Sequence, residues 1–480
     1  MTRRAQASGH TLARVPGYLL LLGAWFVLGS CSTVQLPDLQ APIPAHWPGQ
    51  PALATDSPVD LHGWWHAFQD PALDALIQQS LRSNPDVAQA EERLRAERIL
   101  YGATDAPFLP RLRLGTDHPV DPDAVASYFT VGFDAQWELG LFGRRQSAER
   151  LARGRLGAAK AALREARVSL VAEIARNWID LRAAQQALRV RKHMCDLERL
   201  RLQWISRRIR LRLAAPAERD QARARLAQAQ AALGNPQRRI GEASRRLALL
   251  LGHSKPDATW LTAGKLPELG RQSIKAAPAE LLRTRPDIAR AESGVLQAAG
   301  ELGIARANRF PDIGIGGSII WSSSTLTHRE PEIHSIVSLG PRIDIPLFDW
   351  GLRQARAHAD DHLLKASVLA YRQAVLAGVA DVENALANLA LQRTQQQAGE
   401  ENLTALDRLV TRASTRLRLG LDSPFQRTGS MLARDQAQLE LIDSMAARDI
   451  AFVALYKALG GAPKPESDAI PAASARLGSR

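Results

Sequence analysis

His358 and His362 stand one helical turn apart in the run His358-Ala359-Asp360-Asp361-His362, a spacing that lets two imidazoles share a metal ion. Its second position is Ala rather than Glu, so the run lacks the general base of the zinc-protease motif and reads more simply as a polar, solvated helix face. His62 and His66 repeat the spacing, but Gly63, Trp64 and Trp65 between them describe a packed turn. No nucleophile motif is present, and no glycine loop that could cradle phosphate precedes a helix. Gly314, Gly316 and Gly317 fall in a stretch of period two, where glycine permits close packing and bending. The sequence therefore predicts neither an enzyme nor a metal site. A net charge of +13 would suit a nucleic-acid partner, but acidic residues are mixed among the basic ones and no aromatic-basic motif accompanies them. The reading is a mixed-charge surface without nucleic acid.

Covalent chemistry is predicted at one position. Arg3, Arg4 and Arg14 precede an apolar stretch, Val15 to Gly29, that is too short for an ordinary membrane span. It ends in Leu28-Gly29-Ser30-Cys31, which resembles the lipobox of bacterial lipoproteins. That resemblance implies cleavage before Cys31, a diacylglycerol on its thiol and an acyl chain on the new amine. An ordinary signal peptide with a stray cysteine is the alternative. Ser32, where retained lipoproteins carry Asp, points to sorting to the outer membrane. Cys195 is then the one remaining cysteine, so no intramolecular disulfide is expected, and it reads as a small buried hydrophobe.

The elements that would carry these residues are long. Gln146 to Ala215 contains no proline, and Leu156, Leu163, Leu170, Ile174, Leu181, Leu188, Cys195, Leu202 and Ile209 form a heptad seam that asks for partner helices. Gly351 to Ser423 repeats the pattern with Val368, Val375, Val382, Leu389, Leu403, Val410 and Leu417, interrupted by Gln396. Ile174, Leu181, Leu202 and Ile209 map onto Val382, Leu389, Val410 and Leu417, so the chain is internally duplicated.

Ahead of each long helix the period changes to two. Phe129, Val131, Phe133, Ala135 and Trp137 alternate with polar or small residues, as in a strand with lipid on one face and water on the other. Arg111 to His118 is a short hairpin partner. In the second copy Ile313, Ile315, Ile319 and Trp321 face one way, as do Val337, Leu339, Ile343 and Ile345.

The expected organisation is a signal peptide (1–30) and a lipidated, proline-rich extended segment (31–70), then two repeats and a disordered tail (462–480). The first repeat (71–279) has strands at about 111–137 and a long helix at about 146–215. The second (280–461) has strands at about 312–347 and a long helix at about 351–420. A further helix follows the first long one, over about Ala217 to Leu251, kinked at Gly234-Asn235-Pro236. Four amphipathic strands cannot close a membrane barrel, which needs about eight, and open edges are not tolerated in lipid. Several copies must therefore combine into a lipid-anchored duct.

The motifs resemble those of the TolC-like outer-membrane efflux factors of the NodT/OprM lipoprotein type. They run through Trp64-Trp65, Asn84-Pro85-Asp86, Leu141-Phe142-Gly143-Arg144, Leu249-Leu250-Leu251-Gly252, Arg285-Pro286-Asp287, Arg309-Phe310-Pro311, Pro346-Leu347-Phe348-Asp349-Trp350-Gly351 and Leu455-Tyr456-Lys457-Ala458-Leu459-Gly460. The resemblance implies a mainly α fold with a membrane β-barrel portion: a homotrimer whose twelve-stranded barrel, four strands per chain, continues into a periplasmic α-helical barrel. It also implies a periplasmic adaptor (membrane fusion) protein and an inner-membrane pump of the resistance-nodulation-division type as partners. The chain would be the exit duct of a tripartite efflux pump in the outer membrane, passing drugs or other small molecules outward. A duct for type I protein secretion and a pore-less periplasmic coiled-coil lipoprotein are the alternatives.

The resemblance places the periplasmic gate and adaptor-docking residues at the two inter-helix turns: Leu213, Ala214 and Ala215, then Leu419, Gly420, Leu421, Asp422 and Ser423. The first turn lacks the usual glycine. Asp422 would either join an acidic ring around the closing axis or cap the helix that follows. Gly140 stands where the family usually has Asp.

Overall fold

The computed structural model describes residues 34–39, 61–117, 128–270, 285–324 and 333–461. Asp70 accepts from the N–H groups of Ala72 (2.9 Å) and Leu73 (3.3 Å), and Pro71 fills the first helical position, which starts α1 (Pro71–Ser83). Asn84 repeats the device for Asp86 (2.9 Å) and Val87 (3.0 Å) at the head of α2 (Pro85–Gly102). Strands β1 (Arg111–Asp117) and β2 (Tyr128–Glu138) follow, then α3 (Arg144–Arg210), α4 (Pro216–Ala231) and α5 (Gly234–Leu250). The second half contains α6 (Pro286–Ala307), β3 (Asp312–Ser324), β4 (Ile333–Asp344), α7 (Leu352–Arg418) and α8 (Pro424–Ala458). Helices α3 and α7 are 67 residues each, or about 100 Å at 1.5 Å per residue.

Three boundaries differ from the sequence expectation, each for a local reason. Helix α3 stops at Arg210 rather than continuing to Ala215, because Arg212 adopts a left-handed conformation (φ 58°). The break between α4 and α5 falls at Ala232 and Leu233, since Pro236 has no N–H for the carbonyl of Ala232 and its ring crowds that oxygen. Strand β4 ends at Asp344 rather than near 347, two residues before Pro346.

The chain divides into two units. One comprises Met1–Gln40, Leu94–Ala159 and Arg290–Arg372. Within it, β1 to β4 form one antiparallel sheet in chain order, and Val34, Val295, Ala299, Leu302 and Leu364 form a buried cluster. The other comprises Ala41–Arg93, Lys160–Ala289 and Gln373–Arg480. Its core stacks Trp64 on Tyr456 (5.4 Å) and sets Phe68 edge-on to Phe452 (5.5 Å). Trp178 of α3 donates its indole N–H to Asp70 at 2.7 Å. The seam residues Ile174, Leu181 and Cys195 of α3 and Val375, Val382 and Leu389 of α7 are buried here.

Candidate functional site

Two features carry functional geometry: the sheet of the first unit and the inter-helix turns of the second. Because side chains alternate along a strand, the pairing register decides whether the faces of four strands agree. They do. Leu114 pairs with Phe133, Phe133 with Ile319 and Ile319 with Val337, so one row of large apolar residues crosses the whole sheet. Trp137, Ile315, Leu339 and Ile343 extend the same face, and all are exposed in the single chain. The opposite face is polar in its main part. Arg113 lies opposite Asp134, Asp134 opposite Ser318, and Ser318 opposite Ser338 with their hydroxyls 2.7 Å apart. Gln136 donates to Asp134 at 3.0 Å. Below the sheet, Arg144 bridges Glu138 (3.1 Å) and Asp312 (3.4 Å) beside an open cleft of about 630 Å³ that also reaches Glu301, Asp344 and Arg353. One face thus suits lipid and the other water, while among the described residues no strand pairs with the outer edges of β1 and β4.

The two inter-helix turns share one backbone plan. In the first, Leu213 N–H reaches Arg208 O (2.8 Å) and Arg212 N–H reaches Ile209 O (2.9 Å). In the second, Leu421 N–H reaches Arg416 O (2.9 Å) and Gly420 N–H reaches Leu417 O (3.1 Å). This pair of bonds is a Schellman motif, whose left-handed residue is Arg212 in one turn and Gly420 (φ 70°) in the other. The following helix start is also shared: Glu218 accepts from Ala215 N–H (3.2 Å), and Gln426 accepts from Ser423 N–H (2.9 Å).

Asp422 is not the helix cap, which corrects one of the two sequence readings. Ser423 is the N-cap, its hydroxyl accepting from Gln426 N–H at 3.3 Å. Asp422 instead accepts two hydrogen bonds from the Arg416 guanidinium, at 2.9 and 3.2 Å, and its side chain is 13% exposed. This bidentate bond raises the pKa of Arg416 above its ordinary value. Sequence reasoning missed Arg416, because the turn at Gly420 folds Asp422 back onto it. At the corresponding place Arg208 meets no acid in the turn, since Ala214 stands where Asp422 does. It donates to Leu213 O (3.0 Å) and approaches Glu218 at 3.8 Å. Leu213, Leu419 and Leu421 are exposed.

A buried polar cluster in the second unit also escaped the sequence reading, although Gln396 had stood out as the polar break in its seam. Arg448 donates to Gln396 at 2.8 Å and to the Asp449 carboxylate at 2.8 Å through Nε. Asp449 is fully buried, and its Oδ2 has no hydrogen-bond partner among the described residues. Burial pushes its carboxyl up to about 7 against the opposing pull of Arg448.

The remaining candidates separate. Cys31 lies outside the described residues. Val34, three positions on, is buried, and its carbonyl accepts from Arg150 at 2.7 Å. His358 and His362 are exposed on α7, and Asp361 between them is held by Lys365 (2.8 Å) and Arg306 (3.1 Å). His66 bonds Asp74 at 2.9 Å. Among the described residues no group of three His, Cys, Asp or Glu is placed to hold a metal ion.

Comparison with known proteins places this geometry. A family model described as outer membrane efflux protein matches residues 76–253 and 277–461. The chain is 28% identical to the pyoverdine export outer membrane protein OpmQ of Pseudomonas aeruginosa, over 92% of this chain and 96% of that one. It is 26% identical to the cation efflux system protein CusC of Escherichia coli, over 83% and 88%. The solved outer-membrane channel OprN superposes with a TM-score of 0.79 at 26% identity, covering 91% of this chain and all of OprN.

Proposed function

This chain belongs to the outer membrane efflux protein family and is an efflux exit channel of the outer membrane, and from that premise we propose that it works as a lipid-anchored homotrimer in a tripartite pump. The observation that carries the reading is the sheet: one apolar face, one polar face and two edges that no strand among the described residues pairs with. Open edges are costly in hydrocarbon, so copies must join until the barrel closes, with apolar residues toward lipid and polar ones lining water. Three copies give twelve strands.

The exposed leucines of the two inter-helix turns form the periplasmic end, where a periplasmic adaptor docks and an inner-membrane pump of the resistance-nodulation-division type delivers drugs or other small molecules. Asp422 takes part there as half of the Arg416–Asp422 pair rather than as a bare carboxylate. The pump supplies the energy, and the duct performs no bond chemistry. Cys31 carries the diacylglycerol and N-acyl chains, and the buried Val34 secures the polypeptide just after the anchor. Purified full-length protein in a planar bilayer tests the duct. Discrete conductance from a particle of three chains is expected, and a monomer without conductance would defeat the reading in favour of a pore-less lipoprotein.

A further inference from the structure

The polar face of the sheet carries one row that is not polar. Gly115 pairs with Gly132, Gly132 with Ile320 and Ile320 with Ile336. The rows on either side are polar throughout: Arg113, Asp134, Ser318 and Ser338 on one, Asp117, Thr130, Ser322 and His334 on the other. The isoleucines belong to adjacent apolar pairs, Ile319-Ile320 and Ile336-Val337, and a strand sends neighbours to opposite faces. Ile319 and Val337 therefore join the apolar face, while Ile320 and Ile336 stand on the polar one. Ile336 is 60% exposed there.

The row also has relief. A Cβ on Gly132 would come within 2.6 Å of the Ile319 carbonyl oxygen and 3.1 Å of Ile320 Cγ1, whereas one on Gly115 would meet nothing within 4 Å. The first hairpin thus supplies a bare floor and the second an aliphatic wall beside it. Two residues along a strand cover about 7 Å, so Asp117 and Asp134 bracket the floor at that distance. Arg113 stands opposite Asp134, to which Gln136 also donates at 3.0 Å. Asp117 is exposed and gives the other margin its negative charge.

We propose that the Gly115–Gly132 floor, the Ile320–Ile336 wall and Asp117 form a weak binding surface in the lumen for small organic cations that carry apolar groups. The proposal rests on the duct described above and adds a place where passing solutes linger. Lipid does not reach a face that lines water, and a hydrated inorganic ion gains nothing from aliphatic side chains. A solute with an apolar body and a positive charge gains from both the wall and the carboxylate. Three copies set three such surfaces around the lumen at one height.

Block of conductance by tetraalkylammonium ions tests the surface, using the full-length protein in a planar bilayer with the ions added on the side away from the long helices. Tetrapentylammonium should halve the conductance at a concentration about tenfold below that needed for tetramethylammonium, since each methylene removed from water can add about fourfold to binding. Ile320→Ser with Ile336→Ser should shrink that ratio several-fold while leaving the conductance in potassium chloride unchanged. Should the double variant fail to assemble by native mass, Ile336→Ser alone decides, because its side chain is the more exposed of the two. Asp117→Asn should weaken both ions alike and keep their ratio. Equal block by the two ions in the parent chain, or a ratio that survives the serine substitutions, would overturn the apolar surface while leaving the duct standing. Unchanged block in Asp117→Asn would overturn the preference for cations. A parent chain without conductance would overturn the duct and the surface together.

Discussion

The two halves of the chain solve the same structural problem with different residues. At the inter-helix turns the backbone hydrogen bonds coincide, yet the second turn has Gly420 at the left-handed position, Asp422 locked to Arg416 and Ser423 as cap. The first turn makes the same motif with Arg212, Ala214 and Ala215. Higher up, Gln396, Arg448 and Asp449 form a buried polar cluster, whereas Leu188, Ile240 and Gly241 occupy the corresponding places. Shared backbone hydrogen bonds therefore define the fold, while polar specialisation sits in the second half.

The largest effect should come from Arg448→Ile, which installs the first half's residue and leaves Asp449 buried without its partner. Losing about 3–5 kcal/mol is expected, read as a lowered unfolding midpoint above neutral pH. If the midpoint were unchanged, the cluster would be no more demanding than its apolar counterpart.

Next is the pH dependence of the same cluster. The folded chain holds a proton on Asp449 that the unfolded chain releases near the ordinary carboxyl value, so the stabilisation is fully present below about pH 4 and is lost as pH rises through about 7. Asp449→Asn should flatten this slope relative to the parent chain, and an equal change in unfolding free energy between pH 5 and pH 8 for the two proteins, read from urea titrations, would contradict the assignment.

The turns give smaller and opposite changes. Gly420→Ala should cost about 1–2 kcal/mol locally, and Arg212→Gly should stabilise the first turn by about 1 kcal/mol. Hydrogen exchange at the Leu421 and Leu213 amides reads each directly. Smallest is Ala214→Asp, which offers Arg208 the acid that Arg416 has. It should slow exchange at Leu213 modestly and in a salt-sensitive way, and no change with ionic strength would show that no pair forms.

Much of this architecture was legible in the residues. Heptad spacing marked α3 and α7, and alternation marked both faces of β2 and β3, because burial follows the period of the local structure. The missing glycine at Arg212 was visible as an anomaly, as was Gln396. Their resolutions were not. Arg416 reaches Asp422 because the chain reverses at Gly420, and Gln396 meets Arg448 because two distant helices pack side by side.

Local periodicity and capping residues act within a turn or a strand pair, so the sequence alone determined the long helices, the amphipathic strands and the duplication. The register between hairpins, the stacking of Phe142 on Phe310 and the choice of Ser423 over Asp422 as cap depend on which groups the folded backbone brings within hydrogen-bonding or van der Waals reach. Residues far apart in the chain have no local signal for that, and the tertiary structure alone decided it.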